Sequence, residues 1–284
     1  MAKASHADRV AIEVIRIVSR FLALSKQYPY DSFGGWWRIM QHALLLLLPE
    51  TLFPKMSIVP LMAKQYALDS EEEFRVRYYM SRIGFEDLWH AQPRDTKANI
   101  EHFYQEHDKD IWRQAYLSKF GSRYKRKILH AFQVFRRALP DKTSPILDYG
   151  CGAGVLVHYL VKKGFKNVDA ADIPSQTLDF VRERMSPMLR RVTVVDGTES
   201  FGKDTYAGIA SLDCLEHTID PLHIAERLLE ALQPGGILLL SFPKETDFTL
   251  AHTRQAQEQR DAVWQRVTQE CDVLVPELIY RKNK

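Results

Sequence analysis

The sequence predicts an α/β protein: an all-helical N-terminal domain, then an open, mostly parallel sheet of six or seven strands with helices on both faces. Two observations predict this fold. Before residue 144, apolar residues recur at helical spacing and strand-like alternation is absent. After residue 144, short apolar runs alternate with helical segments, as in parallel sheets with right-handed crossovers. We place the domain limit between residues 120 and 121, giving domains of 1–120 and 121–284.

Composition supports a folded domain and a reducing environment. The 284 residues are 45% hydrophobic and 26% charged, which argues against disorder, collagen-like repeats and disulfide-rich miniproteins. The 3 cysteines, Cys151, Cys214 and Cys271, lack the paired spacing of metal knuckles. An odd number of cysteines and the absence of a secretory signal favour a cytoplasmic location.

Charge is distributed unevenly along the chain. Residues 1–143 hold 23 basic and 16 acidic side chains, whereas residues 144–284 hold 16 and 20. The basic excess peaks between residues 119 and 137. Such a cluster can bind nucleic acid, anionic lipid or a phosphorylated substrate, or it can form the solvated face of a helix.

The most apolar stretch is Ala43–Leu48. Six residues are too few to cross a bilayer, which requires about 20. The stretch therefore indicates a buried helical subdomain, with shallow contact with a membrane surface as the alternative.

Helices are predicted in order through the first half. The first covers residues 11–22, where apolar residues have helical spacing. Ser70 and the glutamates after it form a capping box, so a second helix begins there and ends near Gly84. Asp95 is expected to cap the next helix. A long helix at 122–139 is ended by Pro140.

Strands and helices alternate through the second half. The predicted strands lie at 146–149, 168–171, 192–195, 207–212 and 236–241, and the helices at 155–163, 175–185 and 221–232. The last of these strands is apolar enough to be buried on both faces. For the C-terminus we predict one long helix at 250–270 and one strand at 273–280, interrupted by Pro276.

A glycine-rich turn follows the first predicted strand. Its pattern is D-x-G-x-G-x-G from Asp148 to Gly154, which matches neither the dinucleotide fingerprint nor the P-loop. Glycines at these positions allow a tight turn and close approach of a ligand. Acidic residues end the next strands: Asp172, Asp196 and Asp213. Ligands of open α/β sheets bind at these carboxyl ends, where a carboxylate such as that of Asp172 can accept both ribose hydroxyls.

Five motifs in order resemble the class I S-adenosylmethionine-dependent methyltransferases. They are ILDYGCGAG (146–154), VDAADI (168–173), VVDGT (194–198), SLDCLEH (211–217) and LQPGGILLLSFP (232–243). The resemblance covers about residues 120–245 and implies a Rossmann-like fold with S-adenosyl-L-methionine as cofactor.

The resemblance also implies which residues contact the cofactor. The glycines would pass beneath it, Asp148 would orient the turn, and Asp172 would hold the ribose. Ile173 would pack on the adenine, whose amino group would donate to Asp196. Other positions are implied to line the pocket. The complete set of implied contacts is Tyr104, Asp148, Gly150, Gly152, Gly154, Asp172, Ile173, Asp196, Gly197, Leu212 and Asp213.

Catalysis is harder to assign, because the sulfonium already activates the methyl group. His217 is our candidate general base, since an imidazole has a pKa of about 6.5. Its alternative role is in capping or packing. We assign no metal site, although Asp213, Glu216, His217 and His252 resemble the metal cluster of ubiquinone-biosynthesis and small-RNA methyltransferases. The shorter Asp213 and the lack of a second histidine near His252 depart from that pattern.

These observations predict methyl transfer to a small, partly apolar metabolite, with oxygen as the expected acceptor atom. The N-terminal helices would cover the acceptor pocket, with Tyr104 above the cofactor, although an extension of this length can instead form a homodimer. Two alternatives stay open. One is an RNA 2′-O-methyltransferase that uses the basic 119–137 segment, although we do not expect a nucleic-acid partner. The other is a scaffold that binds S-adenosylmethionine without catalysis.

Overall fold

The computed structural model describes residues 56–82, 88–89, 91–93, 95–106, 109–185, 190–194, 201–243 and 252–284. Contacts divide the chain into two compact units, Met1–Lys55 and Met56–Lys284, and all described residues belong to the second. The predicted helix at 11–22 and the apolar stretch Ala43–Leu48 lie outside the described residues. The predicted domain limit at residue 120 stays a prediction.

Five helices with assigned bounds precede the sheet in the described part of the chain. Two of them, the first and the fourth, were not predicted from the sequence. The fourth buries Ile111, Ala115 and Ser118, at 0%, 0% and 1% exposure. Trp112 is also buried, at 8% exposure, but the small Ala115 and the polar Ser118 interrupt the apolar pattern, so the helix is hard to recognise by periodicity. The helices are α1 (Val59–Gln65), α2 (Glu71–Arg82), α3 (Lys97–Glu106), α4 (Lys109–Phe120) and α5 (Ser122–Ala138).

The capping signals of these helices were predicted correctly in one case and wrongly in another. At α2, the Ser70 hydroxyl accepts from the Glu73 N–H at 3.1 Å, as the capping box predicts. At α3, the Thr96 hydroxyl accepts from the Asn99 N–H at 3.2 Å, so Thr96 rather than Asp95 is the cap. The Asp95 carboxylate instead accepts from the Asn99 side-chain amide at 2.8 Å.

The sheet has seven strands in the order β3-β2-β1-β4-β5-β7-β6, and its first five strands are parallel. β1 is buried along its whole length. The order reverses between β1 and β4, which is the position where open α/β sheets bind ligands. The elements up to this point are β1 (Ile146–Tyr149), α6 (Val155–Lys162), β2 (Val168–Asp172), α7 (Gln176–Met185), β3 (Arg191–Val194), β4 (Tyr206–Leu212), α8 (Pro221–Ala231) and β5 (Leu232–Ser241).

The C-terminus corrects the prediction of a single strand. After α9 (Arg254–Glu270), β6 (Cys271–Val275) and β7 (Ile279–Lys282) form an antiparallel hairpin, with Pro276 in its turn. The sheet therefore has seven strands rather than six. β7 inserts beside β5, with Leu238 opposite Tyr280. Pro276 has no N–H to donate and so occupies the turn instead of interrupting a strand.

No helix within the described part of the chain combines the length and the apolar composition needed to cross a membrane.

Lys282 fastens the hairpin to the rest of the sheet domain. Its ammonium group donates to the carbonyl oxygens of Leu229 and Leu232 at 2.8 and 2.6 Å and pairs with Asp204 at 3.1 Å. The side chain is only 15% exposed, so water replaces these contacts poorly.

We expect Lys282→Met to lower the free energy of unfolding by about 2–4 kcal/mol, because three acceptors lose a charged donor while the apolar stem is kept. Urea denaturation at pH 7 measures this change. The exposed Lys284→Met is the matched control and should leave stability within about 0.5 kcal/mol of wild type. Equal stability of the two variants would contradict the role given to Lys282.

Candidate active site

The glycine-rich turn joins β1 to α6 at the carboxyl edge of the sheet. Gly150, Gly152 and Gly154 all have left-handed backbones, with φ of +72°, +50° and +69°. Neighbouring side chains also press on the turn. A Cβ at Gly150 would lie 2.3 Å from the Cys214 sulfur, and one at Gly152 would lie 2.2 Å from Oε1 of Gln114. Both backbone conformation and space therefore require glycine here.

The amide groups of this turn receive acceptors from several parts of the chain. The first two, at residues 150 and 151, donate to the carbonyl of Ala171 in β2. The Gly152 N–H donates to Oδ2 of Asp172 at 2.6 Å. The Ala153 N–H donates to Oε1 of Gln114, in α4, at 2.8 Å. The turn is thus held from the sheet and from the N-terminal helices.

Asp172 ends β2 with its carboxylate against the turn. Each carboxylate oxygen accepts one backbone N–H, Oδ2 from Gly152 at 2.6 Å and Oδ1 from Ile173 at 2.8 Å. A carboxylate oxygen has two lone-pair sites and can accept from more than one donor. Asp172 can therefore accept two hydroxyl groups of a ligand while it supports the turn.

Asp148, in β1 below the turn, is almost completely buried at 4% exposure. Burial, reinforced by the neighbouring charge of Asp172, raises the pKa of Asp148 to about 7. This carboxyl group is thus poised to change its charge when a cation or a hydrogen-bond donor arrives.

Asp213 follows β4 and is held in a left-handed conformation, with φ of +54°. Its N–H donates to the Ser241 hydroxyl at 2.9 Å, and that hydroxyl donates back to Oδ1 of Asp213 at 2.8 Å. Lys127, from α5, forms an ion pair with the other carboxylate oxygen. Burial acts to raise the pKa of Asp213, but Lys127 and the Ser241 hydrogen bond outweigh it, and the pKa lies below its usual value.

Glu216, His217 and His252 converge beside this aspartate. Glu216 and His217 belong to a short 3₁₀ turn, Leu215–His217. One ligand atom from each of the three side chains lies within 4.8 Å of the others. Glu216 is 1% exposed, and burial raises its pKa to about 8. No described residue hydrogen-bonds to its buried Oε2 atom.

Thr253 ties the two histidine-bearing segments together. Its N–H donates to the carbonyl of Glu216 at 2.9 Å, and its hydroxyl donates to the carbonyl of Thr218. The same hydroxyl accepts from the Ala256 N–H at 3.1 Å and so caps α9. The rings of His217 and His252 lie 5.3 Å apart, edge to face.

Aromatic side chains from the N-terminal helices form a wall beside His217. The Tyr104 ring lies 6.5 Å from the His217 ring and 6.0 Å from Trp89, and it also contacts Phe103. Trp89, Phe103 and Ile100 form the buried centre of this cluster. Tyr104 therefore packs against the candidate base.

A family model for a methyltransferase domain matches residues 116–276, which is more than half of the chain. The chain belongs to the class I S-adenosylmethionine-dependent methyltransferases. The family match covers strands β1 to β6, the glycine-rich turn and the residues at the strand ends.

Named relatives of this methyltransferase act on small molecules. A ubiquinone biosynthesis O-methyltransferase of Actinobacillus pleuropneumoniae is 30% identical over 104 residues, covering 34% of this chain and 44% of that protein. An N-demethylindolmycin N-methyltransferase of Streptomyces griseus is 31% identical over 127 residues, covering 42% and 54%. The chain thus spans about half the length of the curated relatives it matches.

A solved structure from Burkholderia thailandensis resembles this methyltransferase. It is a 1,6-didemethyltoxoflavin-N1-methyltransferase with bound 1,6-didemethyltoxoflavin and S-adenosylhomocysteine. Sequence identity is 15% and the TM-score is 0.43, with 63% of this chain and 90% of that chain covered.

The structure brings most of the predicted cofactor residues of the methyltransferase to one edge of the sheet. Asp148 and Asp172 lie at the turn, and Ile173 and Leu212 follow or end neighbouring strands. Asp196 and Gly197 lie outside the described residues. Asp213 lies beyond the end of β4, paired with Lys127. The roles assigned to all these residues stay predictions.

Three residues at the site were missed in the sequence. Gln114 and Lys127 belong to helices that precede the recognised motifs, and Ser241 ends a strand predicted only as core. Ser241 is the one with a usable signal, because it is polar at the carboxyl end of an otherwise apolar strand. The other two depend on how α4 and α5 pack on the sheet.

The basic segment at 119–137 does not present a uniform cationic face. Lys119 pairs with Glu71, and Lys127 pairs with Asp213. Lys125 is buried at 9% exposure and donates to the Lys119 carbonyl at 3.2 Å. Three of its lysines are therefore engaged within the protein.

We expect Asp148→Asn to alter the pH dependence of stability. In the folded protein Asp148 keeps its proton up to about pH 7, compared with 3.8 for an ordinary aspartate. Its contribution to stability is therefore complete below about pH 4 and is lost as the pH rises towards 7. Because asparagine cannot ionise, the variant should lack this loss and be more stable at pH 8 by on the order of 2–4 kcal/mol without cofactor.

Urea unfolding between pH 4.5 and 8 measures this effect. The exposed Asp272→Asn serves as the control and should follow the wild-type curve. Parallel curves for wild type and Asp148→Asn would show that Asp148 does not titrate in this range.

Proposed function

We propose that this protein transfers a methyl group from S-adenosylmethionine to a small molecule. One observation carries the proposal: the Asp172 carboxylate and the glycine-rich turn form a single hydrogen-bonded unit at the switch point of the sheet. The glycines admit a ligand close to the backbone, and a carboxylate such as that of Asp172 is a suitable acceptor for ribose hydroxyls.

Charge at the strand ends supports a cationic ligand. Asp148, Asp172 and Asp213 lie at the carboxyl ends of three adjacent strands, and Asp213 forms an ion pair with Lys127. S-adenosylmethionine carries a sulfonium and an ammonium group. An acidic site concentrates such a cation, and it attracts the thioether left after methyl transfer less strongly, which favours release of that product.

The acceptor is proposed to bind beside His217, next to the aromatic wall that contains Tyr104. The wall offers aromatic surface, which suits a partly apolar metabolite. An open groove of about 590 Å³ is lined in part by Asp95, His252 and Gln257. The His217 ring contacts both His252 and Tyr104, and His217 is our candidate to accept the proton of an acceptor hydroxyl. Oxygen as the acceptor atom is part of this proposal.

Calorimetric titration with S-adenosylhomocysteine tests the cofactor assignment. We expect low-micromolar binding by the wild-type protein and at least about tenfold weaker binding by Asp172→Ala, because hydrogen bonds to a charged group are lost. Asp179→Ala is the control, since Asp179 lies on the exposed face of α7 and pairs only with Arg182 within the described structure. Failure of the folded wild type to bind would overturn the proposal in favour of a scaffold without cofactor.

A second candidate function, metal-assisted methyl transfer, rests on Glu216, His217 and His252. The residues fit a divalent cation: their ligand atoms lie within 4.8 Å of one another, and the buried Oε2 of Glu216 accepts no hydrogen bond from the described residues. One carboxylate and two imidazoles suit zinc, iron, cobalt or nickel better than magnesium. When bound, such a cation would lower the pKa of an acceptor hydroxyl. Asp213 is not part of the cluster, since Lys127 and Ser241 hold its carboxylate.

Metal binding can be measured without activity. We expect the apo-protein to bind Zn²⁺ or Co²⁺ in a calorimeter, and His252→Ala to bind at least about tenfold more weakly, since even changes around metal ligands alter affinity by about 10–100-fold. The exposed His223→Ala controls for adventitious histidine binding. Unchanged metal affinity of His252→Ala would contradict the proposed metal site, and His217 would then be proposed to act as a base without a metal.

A further inference from the structure

Gln114 is the contact through which the N-terminal helices reach the glycine-rich turn. Its Oε1 accepts from the Ala153 N–H at 2.8 Å. The amide group lies so close to the turn that a Cβ at Gly152 would come within 2.2 Å of Oε1 and 2.3 Å of Nε2. Gln114 therefore lies directly against the backbone of the turn at Gly152, where a side chain is absent.

The helix that carries Gln114 is held in place by contacts with earlier parts of the chain. Trp112 packs against the rings of Tyr66 and Phe74 from α1–α2, at 5.0 and 5.9 Å between centroids. The Ser118 hydroxyl accepts from the Ile58 N–H at 3.1 Å. The amide of Gln114 is thus presented to the turn by a packed helix rather than by a loop.

The position of Asp172 fixes which part of the cofactor lies near Gln114. This step rests on the proposed function. If Asp172 holds the ribose at the end of β2, the nucleoside lies on the β2 side of the turn. The rest of the molecule then extends across the turn towards β1 and β4, where the sheet order reverses. Gln114 lies against the middle of that turn, at Gly152 and Ala153.

We propose that Gln114 binds the amino-acid end of S-adenosylmethionine, with its side-chain NH₂ group donating to the α-carboxylate. The side chain is suited to this double role, because its oxygen accepts from the turn while its nitrogen carries two hydrogens. Gln114 is then a cofactor-contacting residue, and it makes cofactor affinity depend on the packing of α4 against α1 and α2.

Two ligands separate this role from a structural one. S-adenosylhomocysteine has the amino-acid end, whereas 5′-methylthioadenosine has the same nucleoside and thioether without it. Gln114→Glu is the informative variant, since its carboxylate still provides an acceptor for the Ala153 N–H but provides no donor and repels a carboxylate. Gln114→Ala removes both functions, and the exposed Gln105→Ala, on neighbouring α3, is the matched control.

We expect Gln114→Glu to bind S-adenosylhomocysteine at least about tenfold more weakly than wild type, as for loss of a hydrogen bond to a charged group. Binding of 5′-methylthioadenosine should stay within about twofold. Gln105→Ala should match wild type for both ligands. Calorimetry gives the affinities, and thermal unfolding verifies that each variant is folded.

Equal weakening of both ligands in Gln114→Glu would overturn the inference, because it would mean that Gln114 only supports the turn. Unchanged binding of S-adenosylhomocysteine would overturn it as well. If folded wild-type protein binds neither ligand, the proposed function itself fails and the inference falls with it. Binding by wild type with an unaffected Gln114 variant overturns the inference alone.

Discussion

The backbone amides of the turn after β1 must each find an acceptor inside the protein. Residues Cys151 to Gly154 are buried, so bulk water cannot satisfy them. Their acceptors come from β2, from the turn itself and from α4. Satisfying one short segment thus brings together parts of the chain that are far apart in sequence. The positions of Asp172 and Gln114, and through them the shape of the candidate cofactor site, follow from this requirement.

The same edge of the sheet gathers carboxylates that disfavour the free protein. Asp148 and Glu216 are both buried, and desolvation raises their pKa values to about 7 and about 8. Carboxyl groups with pKa values perturbed in this way cluster at functional sites. The cationic cofactor proposed for the turn and the cation proposed for the Glu216 cluster would compensate their negative charge. Burial of these carboxyl groups therefore lowers the stability of the ligand-free protein, and it would increase the affinity for the proposed cationic ligands.

Much of the sheet could be predicted because its strands are buried runs of apolar residues, and such runs can be recognised from the local sequence alone. The glycine pattern and the acids at the strand ends were informative for a similar reason. The glycines reflect the local backbone conformation of the turn, and the acids mark the carboxyl ends of the strands. The capping residue of α3 was assigned to Asp95 instead of Thr96, because both residue types suit a cap and only the backbone path decides between them. The C-terminal hairpin was read as one strand, because β6 and β7 are short and separated by only three residues.

Residues that depend on packing between distant elements could not be predicted in this way. Lys127 looked like part of a basic surface segment, and only the placement of α5 against β4 turns it towards Asp213. Gln114 belongs to a helix whose buried face is formed partly by Ala115 and Ser118, so even the helix was missed. The convergence of His252 with Glu216 and His217 likewise depends on the packing that places the start of α9 beside the 3₁₀ turn.

The link through Thr253 separates two tasks that an enzyme site must perform. Two hydrogen bonds join the start of α9 to the segment that carries Glu216 and His217, so the two imidazoles are set by backbone contacts between neighbours. The aromatic wall comes instead from α3 and the residues before it. Exchange of side chains in that wall would therefore change which molecules fit while the spacing of the imidazoles stays the same. A lineage built on this scaffold can diversify its substrates without rebuilding its chemistry.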